Sequence, residues 1–337
     1  MFARKTEPST PLDGVDVLLA DLDGVVYRGS QALPYAIDSL NRAASSLRVG
    51  YITNNASRTD ASVASHLEEL GLDVAPSDVV TSPQAAVRLL GEHAPAGAPI
   101  LVIGGEGLRH EVRKSGFTVV ETADDAPAAV IQGFSPDLGW KDLAEASFAL
   151  AGGDGGIPWV ATNMDWTIPV ERGIAPGNGT LVSAVHSAVG RLPLVAGKPE
   201  VPIFEEAVAR FGARKPLFIG DRLDTDILGS NRAGIDSLLV LTGVDKAKQL
   251  LAAGEDSRPR YILADLRGLH EPYPETTTAK GGRVTVGGAC VRVTGSRVEI
   301  VRDGDGSIDL LRAACAAIWS SGIPIYALDV PERLYAG

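Results

Sequence analysis

The sequence predicts an α/β protein with a parallel sheet, an α/β unit inserted into it and a small α+β appendage at the C-terminus. Three observations carry that prediction. Apolar runs of strand length alternate with amphipathic segments of helix length over most of the 337 residues, the pattern of a parallel sheet covered on both faces. The alternation crosses a stretch rich in Pro, Gly and Ala at residues 94–99, which marks the start of an insertion. A second stretch, residues 271–280, carries Pro272, Pro274 and a Thr run and reads as a linker to the last unit.

The first eleven residues, with Pro8 and Pro11, read as a loose tail. Residues 15–20 are apolar but too short for a helix, and read as a buried strand. Residues 32–46 set Leu33, Ile37 and Leu40 on one helical face. Residues 48–53 read as a second strand, 60–70 as a helix closed by Gly71, and 82–90 as a helix opened by Pro83. In the insertion, residues 100–103, 119–120, 128–133, 159–162 and 192–196 read as strands, with helices at 106–115 and 141–151. The first sheet then resumes with helix 199–211, strand 217–220, helix 224–233, strand 238–241, the segment 245–253 and strand 261–264. The division is a core of residues 1–94 and 193–272, an inserted unit of 95–192 and a C-terminal unit of 276–337. The last unit reads as strands 283–286, 290–293 and 298–301, a helix 308–319 and a final strand 324–328. At roughly 60 residues it is marginal for independent stability and is expected to dock on the rest.

Composition narrows the function. A formal net charge of −11 argues against nucleic acid or an anionic membrane as the main partner. It leaves a phosphorylated substrate open, because a bound metal reverses the sign of a site. No apolar run approaches 18 residues and no signal peptide is visible, so no membrane insertion is expected and a cytoplasmic location is expected by default. Cys290 and Cys315 are too few for a disulfide framework, fit no usual zinc spacing, and read as core thiols.

Four pieces of chemistry stand just beyond the expected strand ends, where open parallel sheets bind ligands. The first is Asp21-Leu22-Asp23-Gly24. Its extended i, i+2 spacing puts two carboxylates on one side, and their repulsion is relieved by a hard divalent ion such as Mg²⁺. One carboxylate can attack phosphorus and the other can carry a proton. The second is Thr53-Asn54-Asn55, whose hydroxyl, amide and backbone N–H groups can hold phosphoryl oxygens; a helix cap or turn is the plainer reading. The third is Lys198, followed by Pro199 at an expected helix start, where an anion would be stabilised by both the ammonium and the dipole. The fourth is Gly220-Asp221-Arg222-Leu223-Asp224-Thr225-Asp226. Asp221 can complete a metal site, and Asp226 can orient a metal-bound water or Lys198, or cap a helix.

In these motifs, over about residues 12–270, the chain resembles the haloacid dehalogenase-like superfamily, closest to its NagD-like or para-nitrophenylphosphatase-like branch with a large α/β cap. The resemblance implies a Rossmann-like core and a phosphatase. Asp21 would become an aspartyl-phosphate, and Asp23 would protonate the leaving alcohol and then activate water. Mg²⁺ would be held by Asp21, the Asp23 carbonyl and Asp221, with Asp226 behind them. Thr53, the Asn54 amide and Lys198 would stabilise the phosphoryl group.

The resemblance also implies that the inserted cap closes over the site and selects a small leaving group. Its expected substrate-facing stretch is residues 161–166, where Asn163 and Asp165 could receive hydroxyl groups or form a turn, and where Trp166 could equally be cap core. Residues 176–180 read as a nearby loop. Asn54, Asn55 and Lys198 join them as candidate substrate contacts. The cap together with the glycine-rich appendage is similar to actinobacterial glycerol 3-phosphate phosphatases, which favours glycerol 3-phosphate over phosphoglycolate, pyridoxal phosphate or a nucleotide. A non-catalytic phosphometabolite sensor and a phosphomutase are the rivals. The appendage loosely resembles part of an acetyltransferase and is expected to be structural or regulatory. A homodimer through the cap is the expected partner arrangement.

Overall fold

A computed structural model describes residues 9–152, 155–170 and 172–335. The chain divides into two compact units, residues 1–49 with 214–337, and residues 50–213. These limits differ from the core and cap limits expected above, because strand Arg48–Thr53 straddles the first boundary and the helix at 202–211 falls in the second unit.

In the first unit, strands Val17–Ala20, Pro216–Gly220, Asp236–Val240 and Tyr261–Leu263 lie side by side in parallel, registered through Leu19 with Phe218, Ile219 with Leu238, and Val240 with Leu263. Val17, Leu18, Leu19 and Ala20 are all buried, as a parallel strand covered on both faces requires. The expected helix from residue 32 begins instead at Ala36. Pro34 disfavours helical geometry at Leu33, and Tyr35 turns the chain with φ 64°. Residues 27–32 form a small hairpin, Tyr27–Arg28 against Gln31–Ala32. The expected helix 224–233 is a π-helical turn, Leu223–Ile227, leading into Leu228–Arg232.

The C-terminal residues belong to this unit. A four-stranded antiparallel sheet, Thr276–Ala279, Arg283–Val286, Ala289–Thr294 and Arg297–Arg302, packs against helix Ser307–Ser321. Four residues of the expected linker, Thr276–Ala279, are thus an edge strand. Residues 324–328 are not a strand: a 3-10 turn occupies Ile325–Ala327, closed by the Ala327 N–H donating to the Pro324 carbonyl. Leu310, Leu311, Ala314, Cys315 and Ile318 share one apolar core with Leu239, Leu250, Leu251 and Ile262 of the parallel-sheet region. Both cysteines are buried and unbridged, and burial pushes the Cys315 thiol pKa up.

In the second unit, Arg48–Thr53 pairs in parallel with Val79–Thr81, a strand not among those expected from the sequence. A five-stranded parallel sheet runs in the order Leu194–Val195, Trp159–Ala161, Ala129–Gln132, Pro99–Ile103, Thr118–Val120. A hairpin, Thr167–Val170 with Gly173–Pro176, precedes helix Asn178–Val189. That helix occupies much of what reads as a loop, and it ends on Gly190 at φ 77°. Among the described residues no helix is long and apolar enough to cross a membrane.

Candidate active site

The first unit gathers carboxylates at the carboxyl ends of its strands. Asp21 follows Val17–Ala20 directly, and its N–H donates to the Ile219 carbonyl at 2.9 Å. Asp221 follows Pro216–Gly220 in the same way. Asp226 returns toward them because the turn after Asp221 is a wide π-turn, so its Oδ2 accepts from the Asp221 and Arg222 N–H groups, each at 3.1 Å. Asp21, Asp221 and Asp226 are all buried, and one oxygen from each lies within 4.8 Å of the other two.

Three buried carboxylates this close repel strongly unless a cation joins them. The set is all oxygen, the donor type of a hard divalent ion. The chain also makes room for one of these carboxylates: a Cβ on Gly24 or on Gly243 would overlap that of Asp221. Gly24 further needs glycine because its φ is +87°. The fit therefore supports a divalent metal, with Asp226 nearer the centre than the sequence suggested.

Asp23 stands beside this cluster at the chain's turn. The Gly24 N–H donates to the Tyr27 carbonyl at 2.8 Å, which folds the backbone away immediately after Asp23. Asp23 retains an exposed edge. The surrounding chain nonetheless displaces enough water to raise its pKa above the ordinary carboxylate value, with the Arg28 charge opposing. A carboxyl that keeps its proton longer suits an acid role.

The sequence motifs missed a fifth segment, residues 242–246. The Thr242 hydroxyl donates to the Gly24 carbonyl at 2.7 Å, and the Val244 N–H donates to Asp221 Oδ2 at 2.6 Å. The signal was present: Thr242-Gly243-Val244-Asp245 follows an apolar strand run just as the other motifs do.

The second unit holds the remaining candidates. Thr53 ends its strand buried, and its Oγ1 accepts from the Asn55 N–H at 3.1 Å. Asn54 is fully engaged. Its Nδ2 donates to Asp165 Oδ1 at 3.1 Å and to the Lys198 carbonyl at 3.0 Å, while its Oδ1 accepts from the Lys198 N–H at 2.9 Å. Asn163 braces the same loop: its Nδ2 donates to the Asn54 carbonyl at 2.8 Å and its Oδ1 accepts from the Asp165 N–H at 3.1 Å. Asn163 and Asp165 thus form the turn weighed in the sequence, and that turn serves Asn54. Asn55 caps the following loop, accepting from the Ser57 N–H and hydroxyl, each at 2.9 Å.

Lys198 is buried. Its helix, Pro202–Phe211, starts later than expected, so the dipole argument weakens, since that field fades within a turn. Gly197 lets this segment approach: a Cβ there would meet Asn54 Oδ1 at 2.7 Å. Trp166 is 62% exposed, so it is not cap core.

Comparison with known proteins agrees with this geometry. A family model described as haloacid dehalogenase-like hydrolase matches residues 18–118, and one described as HAD-hydrolase-like matches residues 195–269. A D-glycerol 3-phosphate phosphatase of Mycobacterium tuberculosis is 44% identical over 324 residues, covering 94% of this chain and 88% of the relative. A glycerol-3-phosphate phosphatase of Gallus gallus is 37% identical over 271 residues, covering 74% and 86%. The crystal structure of the M. tuberculosis glycerol phosphate phosphatase with magnesium superposes with TM-score 0.84 at 42% identity, covering 94% of each chain. Its calcium complex gives TM-score 0.85 at 41% identity, covering 96% of this chain and 92% of that one. With its α/β core, inserted cap and buried aspartate cluster, the chain belongs to the haloacid dehalogenase-like hydrolase family.

Proposed function

We propose that the chain is a Mg²⁺-dependent phosphomonoesterase working through an aspartyl-phosphate on Asp21, with glycerol 3-phosphate as its substrate. The observation that carries the reading is the buried trio Asp21, Asp221 and Asp226. Similarity to two glycerol 3-phosphate phosphatases supports the substrate. Magnesium when bound would offset the repulsion between these carboxylates and an anionic phosphoester.

The chain's own residues divide the work. An Asp21 carboxylate oxygen attacks phosphorus, the P–O bond to glycerol breaks, and Asp23 gives its proton to the leaving oxygen. Asp23 then takes a proton from the water that attacks the aspartyl-phosphate, releasing phosphate and restoring Asp21. Asp226 holds the Asp221 turn. Thr53, the backbone amide of Asn54 and Lys198 hold phosphoryl oxygens. Asn54, Asn163 and Asp165 serve by fixing the Lys198 segment. Residues 95–192 act as the cap that sets specificity, and residues 276–337 as a structural appendage. Exposed Trp140 and Phe148 on helix Trp140–Ala149 support a homodimer through the cap. A cytoplasmic location completes the reading.

Phosphate release should be measured with and without Mg²⁺ on glycerol 3-phosphate, phosphoglycolate, pyridoxal phosphate and nucleoside monophosphates, for the unsubstituted chain and Asp21→Asn. Glycerol 3-phosphate turnover lost on chelation and in Asp21→Asn is expected. Preference for another ester overturns the substrate. Turnover that survives Asp21→Asn overturns the mechanism.

A further inference from the structure

We propose that Asp245 is a positioning residue for the metal-site carboxylate Asp221, the latch of a clamp formed by residues 242–245. This rests on reading the aspartate cluster as a Mg²⁺ site.

The clamp grips Asp221 at both ends. The Val244 N–H donates to Asp221 Oδ2 at 2.6 Å, which sets the direction in which Oδ1 points. The Asp245 N–H donates to the Asp221 carbonyl at 3.1 Å, which fixes its backbone. Asp245 then closes the loop with its side chain, accepting from the Leu223 N–H at 2.6 Å. One residue therefore ties the backbone of Asp221 to the start of the π-turn that carries Asp226. Two cluster carboxylates are held by a group that belongs to neither motif.

The clamp itself is anchored. The Thr242 hydroxyl donates to the Gly24 carbonyl at 2.7 Å, and Arg28 donates to the Thr242 carbonyl at 2.5 Å. Gly243 allows the close approach to Asp221. Helix Ala247–Leu251 follows at once, and its Leu250 and Leu251 lie in the core shared with the C-terminal helix. The segment is thus fixed at both ends. Burial and the Asp224 and Asp226 charges disfavour a carboxylate at Asp245, with the Arg222 charge opposing them, and the hydrogen bond to Leu223 is the reason we assign to it.

Groups that orient metal ligands typically change affinity by about 10- to 100-fold when removed. The test is calorimetric titration of MgCl₂ into substrate-free protein, for the unsubstituted chain, Asp245→Ala and Asp245→Asn. Asp245→Ala is expected to weaken Mg²⁺ binding about tenfold or more. Asp245→Asn, which keeps an acceptor for the Leu223 N–H, is expected to stay within about threefold of the unsubstituted chain, inside ordinary context variation for one retained hydrogen bond. Steady-state assays should show the Mg²⁺ requirement of Asp245→Ala rising while the substrate KM at saturating Mg²⁺ holds.

If the unsubstituted chain binds no Mg²⁺, the metal-site reading fails, and this inference with it. If it binds and folded Asp245→Ala binds equally well, only the clamp fails. An Asp245→Asn variant as impaired as Asp245→Ala also overturns it, because charge would then be the operative property. Should Asp245→Ala not fold, Asp245→Asn decides against Thr242→Val, which unties the anchor and is expected to weaken Mg²⁺ binding while Asp245→Asn does not.

Discussion

Asn54 holds the backbone of Lys198 through both peptide groups that flank its Cα: its Oδ1 accepts from the Lys198 N–H at 2.9 Å and its Nδ2 donates to the Lys198 carbonyl at 3.0 Å. Nδ2 is shared with Asp165 at 3.1 Å. The amide is therefore a bracket, and Lys198 is located by Asn54 and not by a helix start.

Asn54→Ala should lower kcat on the order of a hundredfold, the cost of moving a charge-stabilising group by about an ångström. Asn54→Asp should be worse at neutral pH. It keeps the acceptor for the Lys198 N–H but sets a second carboxylate against Asp165 and loses the donor to the Lys198 carbonyl. Steady-state kinetics with circular dichroism to verify folding checks the order. If Asn54→Asp outperforms Asn54→Ala, the bracket is not what Asn54 supplies.

Gly24→Ala and Gly29→Ala separate backbone strain from crowding of the metal site. Both glycines have positive φ, 87° and 62°, so each substitution costs about 1–2 kcal/mol of left-handed strain. At Gly29 a Cβ meets nothing within 4 Å, whereas at Gly24 it overlaps the Asp221 carboxylate. Urea unfolding should show a loss in both, and phosphate release should vanish only in Gly24→Ala. Full activity in Gly24→Ala would show that Asp221 can move without consequence.

Asp23 predicts two pH dependences. Desolvation raises its folded-state pKa above 3.8, so between the two values the folded chain binds more protons than the unfolded chain. Stability then falls as pH rises through that window, and the penalty is complete above the raised pKa. In EDTA, Asp23→Asn should melt higher than the unsubstituted chain at neutral pH and not below about pH 3.8, the ordinary value. In turnover, Asp23 must enter protonated, so kcat/KM for glycerol 3-phosphate should fall as pH rises past its raised pKa. Para-nitrophenyl phosphate, whose leaving group needs no proton, should lack that fall. Identical profiles for the two esters would remove Asp23 as the acid.

The parallel strands were legible because burial on both faces makes them nearly continuous apolar runs, as in Val17–Ala20 and Pro216–Gly220. Asp21 and Asp221 were legible because each directly follows such a run. Helix Asn178–Val189 was obscured by the Pro-Gly-Asn-Gly opening, which reads as a turn although Val182 and Val185 are buried at helical spacing. The roles of Asn54, Asn163 and Asp165 were not legible, because which partner an amide takes depends on segments more than a hundred residues apart. Residues 242–246 offered a Thr-Gly-Val-Asp after an apolar run, but the contact that matters, the Val244 N–H to Asp221, leaves no mark in residue type.

The shared core makes a last prediction about how the C-terminal residues contribute. Leu311 packs in one cluster with Leu250, Leu251 and Ile262. Arg312, on the same helix, donates to the Ile262 carbonyl through Nε at 2.9 Å and through a terminal nitrogen at 2.6 Å. Its guanidinium sits 4.2 Å from the centre of the Tyr273 ring, whose hydroxyl accepts from the Ile262 N–H at 3.1 Å. The edge strand of the parallel sheet is thus closed by the appendage and not by solvent. Leu311→Ala should cost about 2–5 kcal/mol, the range for truncating a buried leucine. Because the core is continuous, that loss should lower a single calorimetric transition that includes the parallel sheet, and Mg²⁺ should raise the same transition. If the appendage were an independent body, Leu311→Ala would split off a separate low-temperature transition and leave the Mg²⁺-sensitive one in place. Deleting residues 276–337 should yield aggregated chain, since it bares the faces of Leu250, Leu251 and Ile262 and removes the Arg312 bonds to the Ile262 carbonyl. A soluble, Mg²⁺-responsive truncation would instead mean that these contacts are dispensable.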